Sequence, residues 1–262
     1  MSALQERFAL ARSENRAALI GYLPAGYPSA QGAIEAITAM VEGGVDIVEI
    51  GLPYSDPVMD GPTIQAAVDV SLSGGTTTAD VLATVQAISA LGIPTLVMSY
   101  WNPIERFGVE KFASQLTANN GAGVITPDLT PEEAGDWIQA TEKEKVDRVF
   151  LVALSSTDAR IQKVISVTNG FVYAGAVMGV TGARESVSSQ VQGLVARVRA
   201  HTDLPVAVGL GVSTPEQAHE IAQYADGVIV GSAFVTAIKN GGPQAAKELA
   251  QALSAGLARD AV

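Results

Sequence analysis

Two carboxylates are the residues of this chain best suited to chemistry. Glu49 lies inside the apolar run Asp46–Ile50. Side chains alternate along a strand, so Ile47 and Glu49 share one face while Val48 and Ile50 share the other. The apolar pair suits a helix-covered face, which leaves Glu49 turned inward near the end of its strand. Burial disfavours the charged form, so its pKa rises toward the range useful for proton transfer. The alternative is a structural Glu neutralised by a cation, and the strand cores offer only Arg148. Asp60 follows in the long segment Gly51–Pro62, which has the reach to bring a second carboxylate over the same strand ends. Two carboxylates in unlike environments can divide proton transfer from charge stabilisation. Asp56, between them, reads as a turn residue or helix cap.

Three glycine-bearing segments have a second chemistry. Gly179-Val180-Thr181-Gly182, Gly209-Leu210-Gly211-Val212-Ser213 and Gly231-Ser232-Ala233 each follow an apolar run. Glycine lets backbone N–H groups approach an anion, and a helix N-terminus favours its charge. No G-x-x-x-x-G-K-[ST] or helix-opening G-x-G-x-x-G occurs, so the segments suit a phosphate rather than a nucleotide fingerprint. Tyr22, Tyr100 and Tyr173 end the first, third and sixth apolar runs; each alone reads as core, and together they suit an aromatic-lined pocket. His201 and His219 read as surface residues on helices away from that pocket, and Trp137 as helix packing.

The elements that must hold these residues are eight apolar runs: Ala17–Leu23, Asp46–Ile50, Thr95–Tyr100, Gly123–Thr126, Arg148–Ala153, Phe171–Ala174, Val206–Gly209 and Val228–Val230. They are rich in Val and Ile with little polar alternation, the pattern of strands buried on both faces of a parallel sheet. Helix start signals lie between them. Thr130-Pro131-Glu132-Glu133 and Thr214-Pro215-Glu216-Gln217 read as capping boxes with Pro at the first helical position. Ser29 and Thr78 read as caps of two further helices. Eight strands alternating with helices fit an α/β fold of the (β/α)8 TIM-barrel type, in one domain over residues 1–262. An extra N-terminal helix and an extra helix over Thr63–Ser71 add to it. A doubly wound sheet is the structural rival. The two long connections, Gly51–Pro62 and Gly175–Val187, follow strand C-termini, where barrel active sites lie.

Composition narrows the classes further. Apolar residues make up 48% of the 262 and charged residues 16%, enough for a large core. With 27 acidic against 16 basic residues the net charge is −11, which disfavours nucleic acid and anionic lipid. The absence of Cys excludes disulfides, thiolate metal sites and a Cys nucleophile, and two His are too few for a His-rich metal site. No apolar stretch resembles a signal peptide or approaches the ~20 residues of a membrane span. The chain reads as soluble and cytoplasmic.

The stretch from Glu49 through Pro57, continued by Asp60-Gly61-Pro62-Thr63-Ile64-Gln65, resembles the signature of the tryptophan synthase alpha subunit family. Gly26-Tyr27-Pro28, Tyr100-Trp101-Asn102-Pro103, Asp128-Leu129 and the three glycine segments fall in that family's order across nearly the whole chain. The resemblance implies retro-aldol cleavage of indole-3-glycerol phosphate to indole and glyceraldehyde 3-phosphate, with Glu49 and Asp60 catalytic. It implies Tyr22, Tyr100 and Ile125 at the indole pocket, Tyr173 near the catalytic Glu, and Thr181 in a loop closing over Asp60. Gly182, Gly211, Gly231 and Ser232 match the phosphate site. No metal or organic cofactor is implied in this chain. The implied partner is a pyridoxal-phosphate beta subunit in an alpha2beta2 assembly, receiving indole through a tunnel, with Pro53 and Asp56 in the docking loop. The chain departs from the family at the apolar Ala176-Val177-Met178 and at Thr126 and Thr130. A self-sufficient indole-releasing lyase and a catalytically quiet barrel that only activates a partner remain alternatives. A metal-dependent epimerase lacks its strand His here, and an indole-glycerol-phosphate synthase lacks its strand Lys.

Overall fold

The computed structural model describes residues 1–175 and 184–260. Nine short strands among them form one all-parallel sheet: β1 (Ala18–Pro24), β2 (Ile47–Gly51), β3 (Thr95–Met98), β4 (Gly123–Ile125), β5 (Asp147–Val149), β6 (Leu151–Ala153), β7 (Val172–Gly175), β8 (Val206–Gly209) and β9 (Gly227–Val230). Their order is β5-β4-β3-β2-β1-β9-β8-β7-β6. The two ends of that order are consecutive in the chain. β5 and β6 are halves of the fifth predicted run, parted at Phe150. β5 pairs with β4 and β6 with β7, while the Phe150 carbonyl accepts from the Tyr173 N–H at 3.2 Å. The ring therefore closes through the backbone itself, which makes a TIM barrel and excludes an open doubly wound sheet.

Strand parity sorts the core into two clusters. Leu19, Val48, Ile50, Val97, Val124, Phe150, Val152, Val172, Val208 and Val228 face the helices. Ala18, Ile20, Ile47, Leu96, Ile125, Val149, Phe171, Ala207 and Ile229 fill the interior. The predicted N-terminal helix is present as α1 (Ala3–Ser13), and it plugs the barrel. Its Leu4, Phe8 and Ala11 join the interior cluster, with Phe8 and Phe171 ring centroids 5.5 Å apart.

Ten further helices follow among the described residues: α2 (Ala30–Glu42), α3 (Pro62–Ser73), α4 (Thr78–Ser89), α5 (Trp101–Phe107), α6 (Val109–Ala118), α7 (Gly135–Glu144), α8 (Asp158–Val167), α9 (Arg184–Arg199), α10 (Pro215–Ala222) and α11 (Ser232–Ala255). α3 is the predicted extra helix, and α11 is kinked at Gly241–Gly242. Ser29 caps α2 by accepting from the Gly32 N–H at 3.1 Å, and Thr214 caps α10. Two caps differ from the sequence reading. Thr77, not Thr78, caps α4, because Asp80 rather than a Glu or Gln closes the capping box. Thr130 caps no helix; its hydroxyl donates to Glu133 within a turn, and α7 begins only at Gly135. Trp137 is fully buried, 5.9 Å from Trp101 and 6.3 Å from Phe112 between ring centroids. His219 lies on α10, whereas His201 falls just beyond α9. No described helix is long and apolar enough to cross a membrane.

Candidate active site

Glu49 is the third residue of β2, in register with Tyr22 on β1 and Leu96 on β3. It is fully buried, yet it lines a cavity of about 410 Å³ at the C-terminal ends of the strands. Among the described residues neither carboxyl oxygen has a hydrogen-bond partner. Desolvation with no compensating charge pushes its pKa up to about 8. Arg148 is not its counter-ion. Arg148 instead bonds the Val167 carbonyl at 3.0 Å and the Thr141 hydroxyl at 3.0 Å, on the helix side of β5. The reading of Glu49 as a neutralised structural residue therefore loses its only candidate partner.

Asp60 lines the same cavity from the segment between β2 and α3. It directly precedes Gly61, the N-cap of α3, which makes no side-chain cap of its own. Burial raises the Asp60 pKa, and a hydrogen bond from the Tyr100 hydroxyl opposes the rise. The two acids thus occupy different surroundings, one fully buried and without a hydrogen-bond partner among the described residues, the other half-buried.

The walls between them are aromatic and aliphatic. Tyr22 and Tyr173 both line the cavity. Their rings need glycine neighbours: a Cβ at Gly51 would run into the Tyr22 hydroxyl, and one at Gly209 would lie 2.6 Å from that of Tyr173. Tyr173 is the second residue of β7 rather than its end. Two residues implied for the indole pocket do not line the cavity. Ile125 is fully buried in the interior cluster, in register with the lining residue Met98. Tyr100 stands behind the loop, its hydroxyl accepting from the Met59 N–H at 3.0 Å. Met98, Leu151, Ile229 and Ile64 line the cavity without having been singled out. Strand parity carried outward from Tyr22 and Glu49 identifies the first three, since residues two apart face the same way.

Gly211, Gly231 and Ser232 line the same cavity from beyond the ends of β8 and β9. Gly211 has φ +64°, which glycine adopts freely. Ser232 opens α11, whose N-cap Gly231 makes no side-chain cap bond. First-turn N–H groups left by such a start suit an anion. Thr181 and Gly182 lie outside the described residues, as do Ala176, Val177 and Met178. In the loop after β2, Asp56 is exposed and accepts from the Ser55 hydroxyl, but Pro53 is buried and presents no outer surface. Further along the loop two apolar side chains are also exposed: Val58 is 77% and Met59 42% exposed.

A closed parallel barrel with its cavity at the strand C-termini defines the class: a TIM-barrel protein with its functional face where such enzymes carry it. Residues 8–260 match the family model described as tryptophan synthase alpha chain. The chain is 59% identical to the tryptophan synthase alpha chain of Nocardia farcinica, over 92% of this chain and 90% of that one. It is 54% identical to that of Acidothermus cellulolyticus, over 99% and 98%. Among solved structures, a tryptophan synthase from M. tuberculosis superposes with a TM-score of 0.93 at 49% identity, covering 99% of this chain and 100% of that one. The alpha subunit from Legionella pneumophila superposes with a TM-score of 0.90 at 28% identity, covering 98% of each. The chain belongs to the tryptophan synthase alpha chain family.

Proposed function

We propose that Glu49 and Asp60 together carry out the lyase reaction of this family, the cleavage of indole-3-glycerol phosphate to indole and glyceraldehyde 3-phosphate. The observation that carries the assignment is Glu49: a fully buried carboxyl group at a cavity wall, with no hydrogen-bond partner among the described residues and a pKa pushed up to about 8. At neutral pH it holds its proton and can give it to indole C3. The hydroxyl on the carbon attached to C3 then loses its proton to the Glu49 carboxylate. That carbon becomes the aldehyde, and the electron pair of its bond to C3 returns to the ring. One proton enters at C3 and one leaves the hydroxyl, so Glu49 ends the cycle as it began. Protonation at C3 places positive charge at the ring nitrogen, where the Asp60 carboxylate accepts the N–H and stabilises it. Tyr22 and Tyr173 form the walls for the ring. Gly211, Gly231, Ser232 and the start of α11 hold the phosphate.

This chain needs no metal or organic group for these steps. The beta subunit, with its pyridoxal phosphate, receives the indole in an alpha2beta2 assembly. Its docking site includes Asp56 and the exposed Val58-Met59 pair of the loop that carries Asp60. Docking that orders this loop pre-positions the acid pair. Indole release from indole-3-glycerol phosphate, titrated with beta subunit, tests the whole reading. Wild type is activated by the partner, and Asp56→Lys loses activation more than it loses activity alone. Indole release by the wild type with no response to a cognate beta subunit would instead favour a self-sufficient lyase. No release in either condition would favour a catalytically quiet barrel.

A further inference from the structure

We propose that the N-terminal rim of the barrel carries a second anion site, formed by Arg12, Arg199 and Arg259 around Asp226, that takes a phosphate group. It lies at the other ends of β8 and β9 from Gly211 and Gly231. The inference is independent of the reaction proposed above.

Three guanidinium groups converge there on one carboxylate. Oδ1 of Asp226 meets Nη2 of Arg12 at 3.2 Å and Nη2 of Arg259 at 3.6 Å, and Oδ2 accepts from Nη2 of Arg199 at 2.8 Å. Asp226 also accepts the Val206 N–H at 3.0 Å. Together they line a pocket of about 500 Å³. Among the described residues Asp203 is the one other acid in its wall, and it makes no ion pair there. Positive charge is therefore in surplus in this pocket, in a chain whose net charge is −11. An added anion relieves the repulsion among three cations that share one partner.

The guanidinium groups are already fixed. Arg259 donates through Nε to the Ala222 carbonyl at 2.9 Å and through Nη2 to the Ala225 carbonyl at 2.8 Å. Arg199 donates through Nη2 to the Tyr224 carbonyl at 3.2 Å as well as to Asp226. Nη1 of Arg259, and Nε and Nη1 of both Arg12 and Arg199, have no hydrogen-bond partner among the described residues. The three side chains are 57%, 41% and 24% exposed in the order Arg12, Arg199, Arg259, so a solute can reach these donors. Planar forks of N–H groups suit phosphate oxygens, and groups already held lose little freedom on binding. Thr202 and Gln223 in the same wall suit the polar group that a phosphate ester carries. A bound anion would join α1, α9 and the C-terminal segment, which supply the three arginines.

The test uses the full chain with nitrogen-15 in its arginines and inorganic phosphate as the probe, ionic strength being kept constant with chloride. The Nε–H signals of Arg12 and Arg199 are identified as those missing in Arg12→Gln and Arg199→Gln. In the wild type both signals move along one saturable curve in the millimolar range. They do the same in Gly211→Asp, which alters the other face of the barrel. Arg12→Gln weakens the curve read at Arg199 about tenfold, as expected for one hydrogen bond to a charged group. Arg199→Gln read at Arg12 gives the same measurement should Arg12→Gln fail to fold. Arg160→Gln, at an exposed arginine paired with Glu132 on another face, leaves the curve unchanged. Glycerol phosphate binding more tightly than phosphate identifies an ester as the occupant, and equal affinities identify the free ion; both support the site. Signals that stay still, or that move without saturating, overturn it. So does movement lost in Gly211→Asp, which would place the phosphate at the other face. Equal curves for wild type and both pocket variants, or an equal weakening in Arg160→Gln, overturn it too.

Discussion

The two rims of the barrel treat buried carboxylates in opposite ways. At the N-terminal rim, Asp46 accepts both arms of Arg16, at 2.6 and 2.8 Å, and the Leu19 N–H at 2.8 Å. Asp226 there meets Arg12, Arg199 and Arg259 and accepts the Val206 N–H at 3.0 Å. Each sits one residue before its strand, at β2 and β9. Those arginines come from α1 and its end, from α9 and from the C-terminal segment, so the pairs tie the outer elements to the floor. Asp147, at the start of β5, is intermediate: burial raises its pKa, and the Ser2 hydroxyl and nearby Arg148 oppose the rise. At the C-terminal rim Glu49 is more deeply buried than any of these and has no such partner among the described residues. Both rims hold buried carboxylates. Pairing of Asp46 and Asp226 distinguishes them from Glu49, the residue proposed for chemistry.

That contrast can be broken most severely at Glu49. Glu49→Gln keeps the volume and cannot transfer a proton, so indole release falls on the order of 1000-fold while the folded state persists. A steady-state indole assay beside a thermal melt checks both halves; a variant retaining most of the activity would remove Glu49 from the reaction. At the opposite rim Arg16→Ala leaves the Asp46 charge buried with one backbone donor. A loss of about 3 kcal/mol in unfolding free energy is expected, with indole release changed only a few-fold. Urea unfolding of the two proteins measures the loss, and an unchanged midpoint would show that the floor pairs do not stabilise the barrel.

The pH dependence sharpens the same contrast. Glu49 has a folded pKa of about 8 against 4.5 for the unperturbed group. Between those values the folded state binds the extra proton, so its stability falls as pH rises through the window. Gln has no proton to lose. The stability of Glu49→Gln relative to wild type therefore grows by up to about 1.4 kcal/mol per pH unit. Urea unfolding at pH 5.5 and 7.5 detects this, and parallel curves for the two proteins would contradict the unpaired burial of Glu49. The same pKa places the loss of proton-donor activity above about pH 8. The smallest effect is at the phosphate rim. Gly211→Asp adds a side chain and a negative charge beside Gly231 and Ser232, and weakens inorganic phosphate or glycerol phosphate about tenfold, roughly 1.4 kcal/mol. Calorimetric titration giving equal affinities would move the phosphate elsewhere.

Much of this was legible in the residues alone. Eight apolar runs without polar alternation, separated by helix starts, fit a parallel barrel and leave a doubly wound sheet as the rival. A single carboxylate at an inward parity position within one of them marks its candidate reactive end. These features are legible because strand periodicity and burial are local properties of the chain. The same local rules misplace the caps at Thr77 and Ala134 by one to a few residues, since a Thr can close a turn with a nearby Glu as readily as it can start a helix. They also read the fifth run as one strand, although Phe150 breaks it where the barrel changes pairing partners. Only the closed tertiary structure decides which residues meet across the ring. It brings Asp60 to Glu49 across eleven positions of chain, and Gly211 and Gly231 from far beyond them. It buries Pro53, keeps Ile125 in the interior cluster, and turns the Tyr100 hydroxyl to the loop. It also supplies Arg16 to Asp46 while leaving Glu49 without a cation among the described residues. Pairing of a buried charge depends on what the rest of the chain places within a few ångströms of it, and spacing along the sequence does not carry that information.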